Sequence, residues 1–186
     1  SHTRGVLLTR GIVVLLDRME SAEEHTYDWT YHNFGDLSLG EGWTGRVVEK
    51  PLGESNVYRN IIEPRLLQNP APRAVLQARW DLSAQVNALR KETESPMFLN
   101  FWHGGASGEY FSGTTGLNNP NTMIMPDAAP SIFHRVRARS ADFWTVLEPN
   151  KGASKIRSVA SGGQGRVLIT FADGTRAGYD VDELLK

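Results

Sequence analysis

The sequence predicts an all-β protein, built as a two-sheet antiparallel β-sandwich with long loops and little helix. Short runs of β-branched and aromatic residues recur along the chain, and Gly, Pro, Asn and Asp separate them. Turn residues recur about every 8–15 positions, which is typical of stacked antiparallel sheets. The segment Ala172-Asp173-Gly174-Thr175 carries the Asp-Gly pair favoured in tight hairpins. A barrel is the alternative all-β architecture.

The predicted strands share a β-branched and aromatic character and end at turn residues. They are 6–18, 25–34, 45–48, 74–82, 97–103, 109–112, 132–139, 143–147, 155–161, 167–171 and 176–179. Residues 113–130, rich in Asn, Gly and Pro, are predicted to form a long loop. Helix is expected in at most two places. Residues 84–93 are predicted to form a short helix or a loop, and residues 180–186 one or two helical turns with Asp180 as the N-cap.

Composition limits the classes of protein to which the chain can belong. Its 186 residues suffice for one domain over 1–186, and the net charge of −1 disfavours a nucleic-acid binder that acts through its overall field. No apolar run approaches the ~20 residues that span a bilayer. With no cysteine, the chain has neither disulfides nor a Cys-ligated zinc site. We therefore expect no nucleic-acid partner and no membrane insertion.

Residues 25–35 form the segment richest in potentially functional side chains. In a strand, alternation places Tyr27, Trp29 and Tyr31 on one face, and Asp28 and His32 on the other. Asp28 and His32 are about 13 Å apart along such a strand, so they do not hydrogen-bond directly. The interpretations are a sandwich strand with an aromatic core face, or a strand that offers His32 to a ligand.

Two stretches of the chain resemble the heparinase II/III-like polysaccharide lyases. The first is IVVLLDRME at 12–20, followed by EHTYDWTYHNFG at 24–35; the second is FWTVLEP at 143–149, followed by IRSV at 156–159. In the family, a "vvvDrv" strand, a short acidic spacer and a strand ending in histidine precede an "F-x-t-v-l-x-P … I-x-s-V" stretch. Both matches occur here in the family's order.

The resemblance implies a C-terminal β-sandwich from a larger, secreted or periplasmic lyase that cleaves uronate-containing polysaccharides by β-elimination. In such enzymes the catalytic groups come largely from an upstream (α/α) toroid. This chain lacks the amphipathic helices of a toroid, so no catalytic residue is assigned and activity of the chain alone is not expected. The expected partners are an anionic polysaccharide and the toroid of the same parent chain.

The resemblance also implies a metal site in some family members, held by two histidines and an acid. His32 corresponds in position to the later histidine of that set, whereas the earlier part of the pattern is not found in this chain. Zinc needs three or four ligands, and His25, His103 and His134 follow no recognised spacing with it. Asp127 and the asparagines nearby lack the spacing of a calcium loop. No cofactor is therefore predicted, and His32 is the single candidate zinc ligand.

Carbohydrate contacts are expected from aromatic residues beside glycines. In residues 101–111, Trp102, His103 and Tyr110 flank a Gly-rich stretch that leaves rings free to stack on sugars. The alternative is a glycine-bearing hairpin between core strands with Trp102 buried. Trp43, between Gly42 and Thr44, is a comparable candidate with the same alternative.

A stripe of arginines is expected on one face of strand 132–139. Alternation brings Arg135, Arg137 and Arg139 to that face, and guanidinium groups suit carboxylates and sulfates. The alternative is a solvated face that acidic residues of adjacent strands neutralise.

Three hypotheses about function follow from these observations. The first is a non-catalytic accessory module of a polysaccharide lyase that supports the toroid and contacts an anionic glycan. The second is an independent carbohydrate-binding module for an acidic polysaccharide. The third is a purely structural domain, which would expose a broad apolar patch to its partner.

Overall fold

The computed structural model describes residues 1–71, 75–84, 96–116, 128–163 and 165–185. It confirms the all-β prediction, with 69% of the chain in strands and 6% in helices. A large antiparallel sheet of nine strands is covered on part of one face by a sheet of three strands. The chain therefore forms two sheets, as the turn spacing predicted, although they are very unequal in size.

The elements are numbered in chain order. The strands are β1 (His2–Thr9), β2 (Ile12–His32), β3 (Asp36–Leu39), β4 (Thr44–Val47), β5 (Ile61–Gln68), β6 (Leu76–Asp81), β7 (Phe98–Gly105), β8 (Glu109–Gly116), β9 (Ala128–Asn150), β10 (Ile156–Gly163), β11 (Arg166–Phe171) and β12 (Arg176–Asp180). Two helices lie wholly within the described residues: α1 (Asn56–Arg59) and α2 (Val181–Leu184).

Several predicted strand boundaries are wrong. Predicted strand 6–18 is a hairpin, because Arg10 and Gly11 adopt positive φ angles of 50° and 78° and reverse the chain. Predicted strand 25–34 is the second part of the 21-residue β2, and strands 132–139 and 143–147 are parts of the 23-residue β9. Residues 21–24 of β2 lie in a bulge, whereas Ser140 and Asp142 of β9 pair with Glu20 and Arg18, so neither stretch is a loop.

Other local predictions are confirmed. The Asp173-Gly174 pair forms the turn between β11 and β12, with Gly174 at a φ of 85°. Asp180 caps α2, since its side chain accepts a hydrogen bond from the Asp182 backbone at 2.9 Å.

The predicted loop 113–130 is wrong at both ends, because residues 113–116 and 128–130 are strand. Most of predicted helix 84–93 and residues 117–127 of the loop lie outside the described residues.

Three long lanes of chain run through the large sheet. β2 and β9 pair along almost their whole length, from Val13 opposite Leu147 to His32 opposite Ser131. On the other edge of β9, β7 and β8 lie end to end and together form the third lane. The order β3-β6-β7-β9-β8-β5-β4 therefore passes through β9 from one pair of edge strands to the other.

The large sheet bends at one corner, which divides it into two halves. Between the same two rungs of the ladder, β2 advances eleven residues, β9 eight and the β7–β8 lane four. Such bulges bend a sheet and increase its twist. The first half comprises β1, β3, β6, β7, 12–20 of β2 and 140–150 of β9; the second half comprises β4, β5, β8, 25–32 of β2 and 128–138 of β9.

The main core lies between the inner faces of the two halves. Trp29, Ile132 and Val136 of the second half pack in one buried cluster with Phe101 and Phe143 of the first. Trp29 also donates a hydrogen bond from Nε1 to the fully buried Asp17 carboxylate at 2.9 Å, across the corner of β2. The alternation predicted for 25–34 is confirmed, because Tyr27 and Tyr31 also pack on this core.

A second core lies between the outer face of the first half and the small sheet. Trp144 and Val146 alternate along β9 with the inward-facing Phe143, and they pack against Val167 and Ile169 of β11. The part of the first half around Trp144 is therefore buried on both faces. Among the described residues, no helix has the length and apolar character needed to cross a membrane.

The β7–β8 connection crosses β9 so closely that Gly108 leaves no room for a side chain. A Cβ at Gly108 would overlap the carbonyl oxygen of Arg135 and contact Val136. Replacing Gly108 with Ala is expected to lower the free energy of unfolding by about 1–3 kcal/mol, because the corner must move apart. Urea unfolding followed by circular dichroism measures this change.

Gly116→Ala is the matched control, because a Cβ at this position has no heavy atom of the described residues within 4 Å. Its free energy of unfolding is expected to stay within about 0.5 kcal/mol of the parent. Equal stability of the two variants would contradict the close crossing at the corner.

Candidate glycan-binding cleft

An open cleft of about 1530 Å³ lies beside the corner of the large sheet. Its walls come from β5 and β8 of the second half, β6 and β7 of the first half, the β3–β4 connection and β10 of the small sheet. The volume exceeds the roughly 300–1,000 Å³ of typical small-molecule pockets, so the cleft has room for an extended ligand.

Two half-buried aromatic rings form one wall of the cleft. Trp43 and Tyr110 meet edge to face, with ring centroids 5.4 Å apart. The Trp43 indole donates a hydrogen bond from Nε1 to the Val75 carbonyl oxygen at 3.2 Å, which fixes its orientation. Trp102 also lines the cleft but is only 6% exposed, because it packs in the second core. Trp43 and Tyr110 therefore supply the accessible aromatic surface.

Among the described residues, the charged side chains that line the cleft are two arginines and one glutamate. They are Arg79 of β6, Arg157 of β10 and Glu109 of β8. Arg79 holds its guanidinium 3.5 Å from the centre of the Phe98 ring, and neither arginine forms an ion pair within the described part of the chain. The charge of this lining is thus net positive, although that of the whole protein is −1.

Side-chain amides from three strands or connections add hydrogen-bonding groups to the cleft. Gln77 and Asn100 lie on β6 and β7, while Gln68 is the last residue of β5 and Asn69 follows it. An amide carries two donors and an acceptor, which complement the hydroxyl groups of a sugar. The lining therefore combines aromatic, amide and cationic groups.

Glu148 holds part of the cleft wall in place. This fully buried carboxylate accepts hydrogen bonds from Asn100 Nδ2 at 2.8 Å, Ser154 Oγ at 2.6 Å and the Lys155 backbone at 2.5 Å. A buried carboxylate is tolerated when such donors satisfy it. Because Asn100 and Ser154 both line the cleft, their positions relative to one another depend on this carboxylate.

A hydrogen-bonded pair of histidines lies directly beneath the aromatic wall. His103 Nε2 and His134 Nδ1 are 2.9 Å apart, and His103 Nδ1 contacts Thr145 Oγ1 at 2.8 Å. Trp29 stacks on His103 and Tyr110 stacks on His134, each with ring centroids 4.1 Å apart. Both histidines are fully buried. The pair joins β7 of the first half to β9 in the second half.

Burial changes the proton affinity of these side chains. Desolvation, reinforced by the neighbouring His134, holds the pKa of His103 well below its usual value. Desolvation lowers the pKa of His134 to about 4, and it raises the pKa of Tyr110 above its usual value. Both imidazoles are therefore neutral near pH 7.

The carbohydrate candidates of segment 101–111 divide between surface and core. Tyr110 presents part of its ring to the cleft, as does Trp43 from the β3–β4 connection. Trp102 and His103 are buried, as expected for a glycine-bearing segment between core strands. A carbohydrate role for these four residues remains a prediction, and only Trp43 and Tyr110 offer exposed surface for it.

The predicted arginine stripe lies on the outer face of β9, away from the cleft, and acidic side chains neutralise two of its members. Arg135 binds the Asp28 carboxylate through Nε at 2.8 Å and Nη2 at 2.7 Å, and Tyr58 also contacts that carboxylate. Arg137 pairs with Glu24 at 2.6 Å. Arg139 is exposed on the same face. The charge available to a glycan is thus smaller than three arginines suggest.

His32 is exposed at the end of β2, opposite Ser131. Within the described ranges, no three His, Asp or Glu side chains lie close enough together to hold a metal ion. The calcium candidates Asp127, Asn118, Asn119 and Asn121 lie outside the described residues.

Arg79, Gln77 and Asn100 were not predicted as site residues. Leu76–Asp81 alternates between apolar and polar side chains, and this pattern places Gln77 and Arg79 on the face opposite Trp80. The alternation is therefore the sequence signal that could have found two of them. Their proximity to Trp43 depends on the bend of the sheet, which no local pattern encodes.

A comparison with known protein families finds no matching family model, and a comparison with curated proteins finds no matching sequence.

Arg135 is expected to stabilise the fold, and Arg137 to contribute little. Replacing Arg135 with Ala removes the bidentate ion pair with Asp28. It also removes the hydrogen bond to the Leu52 carbonyl oxygen and the contact with the Tyr58 ring. A loss of about 2–4 kcal/mol in the free energy of unfolding is expected, since the part-buried Asp28 loses its partner.

Arg137→Ala is the matched control two residues along the same strand. Its side chain is 77% exposed, so the expected change is within about 0.5 kcal/mol. Chemical unfolding of both variants measures the difference. A similar stability for the two would contradict the role given to the Asp28–Arg135 pair.

Proposed function

We propose that this chain is a non-catalytic β-sandwich module of a polysaccharide lyase, and that it holds a uronate-containing anionic glycan in the cleft. The observation that carries the proposal is the cleft lining, where accessible aromatic rings lie beside arginines that form no ion pair within the described residues. The resemblance of 12–35 and 143–159 to heparinase II/III-like lyases supports the same assignment.

The aromatic wall suits the sugar rings of a glycan. Pyranose rings carry apolar C–H faces, and flat aromatic side chains bury such faces while their polar edges keep hydrogen-bond partners. Trp43 already satisfies its Nε1 through Val75, so burial of its free face by a sugar leaves no unpaired donor.

The cleft arginines suit the carboxylate or sulfate groups of the same glycan. Arg79 is held against Phe98, so little side-chain freedom is lost when it binds an anion. Arg157 contributes a second cation from the opposite wall. Both arginines are exposed to solvent, so salt should weaken the attraction.

A non-catalytic role agrees with the position of the titratable groups. Elimination requires a base, an acid and a group that neutralises the uronate carboxylate, all in contact with substrate. His103 and His134 are fully buried, so a bound glycan does not reach their ring nitrogens. Glu109 is the one acid among the cleft-lining residues described.

The module would pack against the (α/α) toroid of its secreted or periplasmic parent enzyme. Val6 and Leu8 on the edge strand β1 are 58% and 78% exposed, and such apolar groups are common where one domain packs on another. The second candidate function is an independent carbohydrate-binding module. It is favoured by the cleft itself, whose aromatic and cationic groups all come from this chain.

Glycan binding is expected to depend on Trp43 and Arg79. Trp43→Ala and Arg79→Ala should each weaken binding to alginate, ulvan, heparin or chondroitin sulfate about tenfold, which corresponds to about 1.4 kcal/mol. Binding should also weaken as salt rises. Affinity electrophoresis and calorimetry at two salt concentrations measure these effects.

Arg137→Ala serves as the control for charge, because it removes a cation from the outer face of β9. It should bind as the parent does, and melting temperatures confirm that each variant is folded. Retention that depends on Arg137 and not on Arg79 would show that the glycan binds to the outer face of β9 and not in the cleft. Absence of retention on all four polymers would remove the glycan-binding proposal.

The isolated chain is expected to show no lyase activity. Incubation with the same four polysaccharides should produce no rise in absorbance at about 235 nm, where unsaturated uronate products absorb, because the toroid supplies the proton-transfer groups. Release of unsaturated product by the purified chain would overturn the non-catalytic assignment.

A further inference from the structure

The His103–His134 contact is one of the few polar links between the inner faces of the two halves. His103 belongs to β7 of the first half, and His134 to the second-half part of β9. His134 Nε2 is buried and has no hydrogen-bond partner among the described residues. Tyr110, which forms part of the cleft wall, covers the His134 ring. Movement of this pair therefore moves the wall of the cleft.

We infer that the His103–His134 hydrogen bond is an acid-sensitive clasp. It holds the two halves of the large sheet together around the cleft at neutral pH and releases them in mildly acidic solution. The effect on bound glycan rests on the proposed function. The clasp itself rests on the geometry of the pair, its burial and its position between the halves.

The hydrogen bond depends on the protonation of the two rings. In two neutral imidazoles, one nitrogen donates and the other accepts. A single added proton keeps this bond but places a charge in a site with no water contact. Two added protons make both nitrogens donors, so the bond is lost and two positive charges repel each other at a ring distance of 5.1 Å.

Burial outweighs the compensation that the surroundings offer to a positive charge, which comes from the backbone of Trp144 at His103 and of Ala106 at His134. Aromatic rings of Trp29, Tyr110 and Phe143 cover the imidazoles from three strands. Asp17 is bonded to Trp29 but is also paired with Arg4.

Asp28, on the outer face of β2, lies near enough to favour a charge on His134, yet Arg135 neutralises it. Thr145 contacts His103 and carries no charge.

The sign of the pH dependence follows from these directions. The pKa of His134 is about 4 in the closed form, against 6.5 for an exposed imidazole. The open form therefore binds more protons, and closure weakens as the pH falls below about 6.5. Proton uptake by His134 alone should raise the equilibrium for opening about 30-fold between pH 8 and pH 5, and proton uptake by His103 adds to this rise.

Two measurements on the whole chain test the clasp. Nuclear magnetic resonance should show both buried imidazoles neutral at pH 6. Amide exchange, corrected for its intrinsic pH dependence, should show β7 and β8 opening about 30-fold more, or more than that, at pH 5 than at pH 8. Titration of both rings near pH 6.5 without any change in exchange would overturn the clasp.

His134→Gln removes one of the two titrating rings but keeps an amide that can donate and accept. Its β7 and β8 exchange should depend less steeply on pH than that of the parent, because only His103 then takes up a proton on opening. His32→Gln, at an exposed position on β2, should keep the response of the parent. An unchanged response in a folded His134→Gln would overturn the proposal. If this variant does not fold, the two measurements on the parent chain decide.

Heparin binding separates the clasp from the proposed function. The parent should bind heparin more weakly at pH 5 than at pH 7, and His134→Gln should lose part of that difference. Binding of the parent that is unaffected by pH would overturn the control of the cleft. Absence of binding to any of the four glycans at pH 7 would overturn the proposed function, while exchange would still decide the clasp.

Discussion

The unequal lengths of the three lanes at the corner determine the shape of this protein. Between the same rungs, β2 needs eleven residues, β9 eight and the β7–β8 lane four, so paired strands cannot continue in one plane. The sheet bends, and Trp29 of one half comes to lie on His103 of the other. The main core and the cleft beside it are both consequences of this bend, because each is enclosed by the two halves together.

Polar groups in the interior lie where the bend must be held in one position. Asp17 accepts a bond from Trp29 across the corner, and Glu148 connects β7 and β9 to the segment before β10. The two buried histidines connect β7 to β9 beneath Tyr110. A buried polar group is costly unless its partners are in place, so each link favours one arrangement of the two halves. The same requirement makes the histidine link sensitive to acid, and it relates the core to the cleft.

Local patterns predicted much of the fold but little of the cleft. Alternation in 25–34 placed Trp29 in the core, the Asp-Gly pair predicted the last hairpin, and Asp180 was identified as a cap. The bend joins residues far apart in sequence, such as His103 and His134, and no short-range pattern encodes it. Trp43 and Tyr110 were therefore named one by one, without their mutual contact. The partners of Arg135 and Arg137 were expected only in general terms, because strand pairing decides which acid faces which base.

The most direct test of the account is a titration of the isotopically labelled chain with a heparin or alginate oligosaccharide, followed by nuclear magnetic resonance. The largest shifts are expected at the Trp43 indole and at backbone amides of β6, β7 and β8 that line the cleft. The outer face of β9 around Arg137 should remain unchanged. Shifts confined to that outer face, or no shifts with any anionic oligosaccharide, would contradict the claim that the bent sheet forms a glycan-binding cleft.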